Sequence, residues 1–218
     1  MSLTQVPLSG AEAALIGLGA GVLTAADLGW RFLRHGSTFA HEGAHALVGA
    51  ILLHRVAGVR VNRNGTGATS FGAPGGARWH LTTFVGYTGP SMFGLGAARL
   101  IEFGHIVAVL WVTLFLLGVL VTWVVTAFGI FSVAVAGAFM FAVGHLTPVG
   151  LQIVASYAIA WLLLLIGLRK VLERGTGTAD AASLARGTGI PRLIWTLAWL
   201  AVTVATVAAG GSMLVMQH

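Results

Sequence analysis

GSTFAHEGAHALVGAILLH, residues 36–54, is the stretch on which the reading of this chain turns. It is apolar over about the 20 residues that a helix needs to cross the hydrocarbon core of a bilayer. Yet His41, Glu42 and His45 stand in its middle. An ionisable side chain at the centre of a membrane helix costs about 2.5–3.5 kcal/mol on insertion scales. Three such groups within five residues therefore point to a function. Interhelical hydrogen bonding alone is the competing account.

Outside this stretch the chain is just as apolar. Of 218 residues, 57% are hydrophobic and 8% charged, against roughly a quarter charged in a soluble domain. Mean hydropathy is +0.91. So few charges cannot clothe a water-soluble body of this size, and so much apolar content excludes disorder. Further apolar runs fall near residues 11–29, 81–101, 104–126, 128–145, 149–168 and 191–213. The expectation is an all-α polytopic membrane protein with about six to seven transmembrane helices, forming a single membrane-embedded domain over residues 1–218. The chain has no cysteine, which excludes disulfides, thiolate metal sites and a cysteine nucleophile. Gly17 and Gly21 form a G-x-x-x-G, read as internal helix packing or as a dimer face. Ser9 and Glu12 have the spacing of a capping box. Trp79, Trp111, Trp123, Trp161, Trp195 and Trp199 read mostly as lipid-facing or interfacial anchors.

Charge placement sets the orientation. The chain has 12 Lys and Arg and a net charge of +6. Arg55, Arg60, Arg63 and Arg78 lie in one loop, residues 55–80. Arg169, Lys170, Arg174 and Arg186 lie in another, residues 169–190, with Arg192 just beyond. The positive-inside rule puts both loops in the cytoplasm. A basic balance of this kind reports orientation, so no nucleic-acid partner is expected. The expected location is a cell membrane crossed several times, that of the bacterial cytoplasm. Within residues 55–80, Val59 and Val61 alternate with Arg60 and Asn62, and Asn64-Gly65 follows. That pattern predicts a small β-hairpin at the membrane surface, with both central turn residues at positive φ.

The sharpest signal is H-E-x-x-H. Spacing i, i+4 puts His41 and His45 on one helix face, where two imidazoles can meet one tetrahedral ion. Glu42 beside them is placed to take a proton from a water that the metal activates.

Other segments extend this motif into a resemblance. Phe39-Ala40-His41-Glu42-Gly43-Ala44-His45-Ala46-Leu47, the basic hairpin that follows, Gly86-Tyr87-Thr88-Gly89-Pro90-Ser91, and Asp180-Ala181 with Thr188-Gly189-Ile190-Pro191 and Trp195 together resemble the site-2-protease family of zinc intramembrane metallopeptidases, especially its compact bacterial members. The resemblance covers roughly residues 37–200. It implies Zn2+ as cofactor, His41 and His45 as ligands, Glu42 as the catalytic base, and Asp180 as a third ligand. The chain departs from the family in two places. It has no Leu-Asp-Gly, the segment whose Asp is the third ligand in better-known members. Val125-Thr126-Ala127 precedes Phe128-Gly129 where the compact branch often has Arg-Asn.

On the residues alone the third ligand stays open. Asp180 lies in a polar segment, and it also reads as a helix N-cap. Asp27 competes, or else pairs with Arg31 at i+4. His145 competes, or else bonds between helices. His41 sits roughly 13 Å deep by helical rise. Asp180 reaches it only by a re-entrant loop or through a water-filled cavity.

The expected function is a zinc-dependent intramembrane endopeptidase acting on membrane-spanning or membrane-adjacent proteins or peptides. The strand around Val59 and Val61 is expected to pair with unwound substrate by β-augmentation, and Tyr87 and Pro90 to contact it. Partners would be the substrate, the lipid bilayer, and a regulatory membrane protein or a second copy of the chain. The alternative is a proteolytically inactive scaffold or regulator that keeps the zinc-site helix, which the missing Leu-Asp-Gly favours.

Overall fold

The computed structural model describes residues 5–72 and 75–216, and among these it forms eight α-helices and one β-hairpin. Helix α1 (Gly10–Ala25) starts at the capping box the sequence announces, Ser9 and Glu12 bonding reciprocally. Ala26 then leaves helical geometry, and α2 (Asp27–Ile51) sets off at 94° to α1. Arg169 braces the break. It contacts the Ala25 carbonyl at the end of α1 and pairs with Asp27 at 3.5 Å, while its guanidinium lies over the Trp30 ring. Asp27 therefore takes Arg169, and not Arg31, as its partner.

The hairpin follows α2 directly. Strand β1 (Val56–Val61) pairs antiparallel with β2 (Gly67–Phe71), Val59 opposite Thr69 and Val61 opposite Gly67. The turn differs in detail from the expectation. Only Gly65 has positive φ, at 78°. Gly65 N–H donates to the Asn62 carbonyl and Asn62 N–H to that of Thr66, a turn closed by one left-handed glycine. The hairpin packs on α2. Thr38 Oγ1 donates to the Gly65 carbonyl at 2.6 Å, and a Cβ on Gly49 would strike the Phe71 ring.

A third segment completes the sheet. Val59 N–H donates to the Trp123 carbonyl at 2.7 Å, and Val125 N–H to that of Val59 at 2.9 Å. Val61 N–H reaches Thr126 Oγ1, which donates back to the Val61 carbonyl. Val125 and Thr126, where the family pattern fails, are thus the far edge of β1. Val59 and Val61 are 0% and 1% exposed, so the expectation that they receive substrate is corrected. Their side chains are buried and their backbone groups are taken.

Helix α3 (Gly76–Glu102) runs through the middle of the molecule. Its small residues let neighbours close in. Gly89 lies against Ala44 of α2, and Gly94 against Leu164 of α6 (Val149–Arg174). Ser91 Oγ donates to the Leu164 carbonyl at 2.8 Å. Pro90 is buried inside this helix. Helix α4 (Ala108–Val121) leads through the sheet-edge segment to α5 (Ala127–Leu146). After α6 a 3-10 turn (Gly175–Gly177) precedes α7 (Ala179–Thr188). Gly189, at φ 75°, ends α7 in left-handed geometry before α8 (Arg192–Val215).

Three helices, α5, α6 up to Glu173, and α8, are long and apolar enough to cross a membrane, and the bent α1–α2 pair brings the number to four at most. The protein is a membrane protein by these helices. The other expected crossings fall short for identifiable reasons. At 14 residues, α4 rises about 21 Å, less than a hydrocarbon core of about 30 Å. α3 has 27 residues but carries buried Gly and Thr on the faces packed against α2, α6 and α8. The two loops also contain more structure than expected. α3 begins inside residues 55–80, and α7 fills much of residues 169–190.

Candidate metal centre

Two imidazoles on α2 and one carboxylate on α7 converge. His41 Nε2 and His45 Nε2 lie 3.2 Å apart. Asp180 Oδ2 is 3.2 Å from the first and 3.4 Å from the second. An ion held tetrahedrally at about 2.0–2.1 Å keeps its ligands about 3.3 Å from one another. The three separations match that spacing, so this His-His-Asp group could hold a metal ion. Asp27 and His145, the alternatives in the sequence, lie elsewhere. Asp27 is exposed and paired with Arg169, and His145 is an exposed ring stacked on Phe141.

Each ligand is aimed by its surroundings. The spacing i, i+4 on α2 stacks the two histidines on one face. His45 Nδ1 lies 2.7 Å from the Thr82 carbonyl. This fixes Nδ1–H as donor and leaves Nε2 free for a ligand's role, the usual outer-sphere arrangement of metal histidines. His41 is held by packing: its ring meets Tyr87 edge-on at 4.8 Å, and its Nδ1 is buried with no hydrogen-bond partner among the described residues. Tyr87 in turn stacks on Trp199 at 4.4 Å, and Trp199 Nε1 donates to the Phe84 carbonyl. Trp199 is 0% exposed, so it is part of the support for the site and not a lipid-facing anchor. Gly86 makes the room, since a Cβ there would collide with both imidazoles.

Asp180 arrives on a separate element. Thr178, not Asp180, is the N-cap of α7, accepting from Ala181 N–H at 3.0 Å. That leaves the Asp180 carboxylate free to reach across to α2. Burial alone would raise its pKa. The hydrogen bonds and charge of His41 and His45 outweigh burial and hold the carboxyl below the usual carboxylate range, so it presents an ionised oxygen.

Glu42 opens onto the same cavity of about 490 Å³. It is 4% exposed, and Thr69 Oγ1 donates to its Oε2 at 2.8 Å. The cavity lies between the two basic loops. β2 lines one side, α7 and Lys170 the other. In an antiparallel pair, residues whose backbone groups point away from the partner strand alternate with those that pair. Val59 and Val61 point away from β2, so Thr69 and Gly67 opposite them point their N–H and C=O away from β1. The free edge of this sheet is therefore β2.

Sequence reasoning brought His41, Glu42, His45, Asp180 and Tyr87 to this place. It missed Thr69, Thr82, Gly86 and Trp199 as parts of the site. Only Gly86 had a signal, within Gly86-Tyr87-Thr88-Gly89-Pro90-Ser91. Thr82 acts through its carbonyl, which no side-chain pattern reveals.

Comparison with known proteins places this geometry. No curated protein and no solved structure matches the chain. A family model described as Peptidase M50B-like matches residues 14–210, a stretch that contains both histidines, Glu42 and Asp180. The chain belongs to the Peptidase M50B-like family, that of the site-2 proteases.

Proposed function

We propose that this protein is a zinc-dependent intramembrane endopeptidase that cuts membrane-spanning or membrane-adjacent substrates. One observation carries the reading: three ligand atoms from α2 and α7 at tetrahedral spacing, with a buried glutamate opening onto the same cavity. Two histidines and one carboxylate leave a fourth position open, the arrangement of catalytic rather than structural zinc. When bound, zinc would acidify a coordinated water and polarise the scissile carbonyl. Glu42 takes the proton from the attacking water and passes it to the leaving amine. His41, His45 and Asp180 hold the metal.

The substrate must be unwound to be cut, because helix amides are bonded internally. The outward N–H and C=O groups of Gly67 and Thr69 offer an extended segment partners at the cavity wall, and β-strand addition would set it beside Glu42. This role passes from Val59 and Val61 to β2. Tyr87 supports His41 and lines the cavity. We further propose a multi-pass arrangement in the bacterial cytoplasmic membrane, with α3 crossing inside the ring of apolar helices and both basic loops in the cytoplasm.

The experiment is metal analysis combined with turnover of fluorescently labelled casein in detergent. Glu42→Gln should keep one zinc per chain and lose activity by about 100-fold or more. His41→Ala should lose both. Equal cleavage by wild type and Glu42→Gln would overturn the reading.

A further inference from the structure

The hairpin hydrogen-bonds to Glu42 through Thr69. Thr69 Oγ1 lies 2.8 Å from Glu42 Oε2 and 3.3 Å from the Glu42 backbone carbonyl, across 27 residues of chain. Two residues earlier in β2, Gly67 has no side chain because none fits. A Cβ there would lie 2.7 Å from Glu42 Cγ and 2.8 Å from Oε1. The inner face of β2 is therefore shaped to Glu42 from both sides: a gap at Gly67 for the methylenes and one oxygen, and a donor at Thr69 for the other oxygen. The contact is anchored at both ends. Glu42 lies in the middle of α2. β2 is tied to β1, which is itself fixed to residues 123–126 and so to the start of α5.

A glutamate side chain turns about three torsions, the last of them broadly two-fold, so an unrestrained carboxylate takes several orientations. A hydrogen bond from a hydroxyl to an ionised carboxylate is of the stronger, charge-assisted kind. It occupies Oε2 and leaves Oε1 as the oxygen free to accept a proton. We propose that Thr69 is a positioning residue for the reaction, its hydroxyl fixing the Glu42 carboxylate so that Oε1 is the atom that receives the proton from water. This rests on the endopeptidase reading given above. Thr69 is not among the metal-binding group, and its side chain acts through Glu42. Its backbone, by contrast, points out of the sheet, so the residue that steadies the base also belongs to the edge an extended peptide would join.

The test compares Thr69→Val, which keeps the shape and removes the donor, with Thr69→Ser, which keeps the donor. Full-length protein in detergent is loaded with zinc for casein cleavage and with cobalt(II) for visible spectra. Thr69→Val should keep metal stoichiometry and KM, and lower kcat about 10- to 100-fold, the cost of a misplaced catalytic group. Thr69→Ser should return kcat to within about threefold of wild type. The cobalt spectrum should change in Thr69→Val and not in Thr69→Ser, because Glu42 no longer holds its place beside the ion. Wild-type kcat in Thr69→Val, or a Ser variant as impaired as the Val variant, would overturn the proposal while leaving the endopeptidase reading intact. Should wild type itself fail to cleave, that reading fails and the cobalt spectra decide: an unchanged spectrum in Thr69→Val removes the link between Thr69 and Glu42.

Discussion

Gly86 decides how near α3 can come to the two imidazoles. An added Cβ would overlap His45 Nε2 and lie 2.9 Å from His41 Cε1, in a place where neither ring can retreat. Tyr87 blocks His41, and the bond to the Thr82 carbonyl holds His45. Gly86→Ala is therefore expected to weaken zinc binding about tenfold or more, as loss of outer-sphere support does in metal sites, measured by competition with a chromogenic chelator. Gly96→Ala on the same helix meets open space. It should leave affinity unchanged and gain about 0.5–1 kcal/mol of helix stability. The contrast separates crowding at the site from a general effect of alanine in α3. It also shows what a sequence can and cannot disclose. His41, Glu42 and His45 were legible because helical periodicity alone brings them together. Asp180 stayed one of three because its approach is tertiary: α7 packs on α3 and α8 and brings the carboxylate to the α2 histidines from more than a hundred residues away. Thr69 and Thr82 carried no signal, since an isolated threonine is an ordinary residue until its neighbours are known.

Among elements, α7 carries the one ligand that is not on α2, and it is only 10 residues long. A helix so short depends on its ends. Thr178 supplies the N-terminal bond and Gly189 the left-handed stop. Replacing an N-cap threonine by alanine costs about 1 kcal/mol. Thr178→Ala should therefore loosen the delivery of Asp180 and weaken zinc binding about fivefold, while far-UV helicity stays as in wild type. Thr178→Ser keeps the cap and should bind zinc normally; equal weakening in both variants would mean that the cap is not what places Asp180. The hairpin was the other element legible in advance, from Asn64-Gly65 and the alternation around Arg60. Its pairing beyond β2 was not. Residues 123–126 read as the end of an apolar span, and nothing local marks them as a strand partner for β1. The span count was less legible: runs such as 81–101 read as crossings, yet only three helices, or four with the bent pair, meet the length and composition of a span among the described residues. Apolar run length alone does not separate a lipid-facing helix from α3, whose packed face is built from buried Gly and Thr.

For the molecule as a whole, the cavity ties together two loops that the charge pattern had already put on one side. Residues 65–71 and 170–186 face each other across it, so both must lie on the same side of the membrane whichever side that is. α3 leads away from the hairpin for 27 residues, about 40 Å by helical rise, enough to carry Phe103 to the opposite surface. The chain has no cysteine, so one introduced thiol is the only site in it that a maleimide can label. Phe103 is 64% exposed, and Arg60 and Arg186 are exposed. In intact cells a membrane-impermeant maleimide should label Phe103→Cys at once, and Arg60→Cys and Arg186→Cys only after permeabilisation. The positive-inside rule supplies the direction; the shared cavity supplies the pairing. The reverse pattern, with positions 60 and 186 labelled from outside and position 103 from within, would keep the architecture and invert the protein. Labelling of positions 60 and 186 from opposite sides would be more serious, since Asp180 could not then meet His41 and His45 in one aqueous cavity.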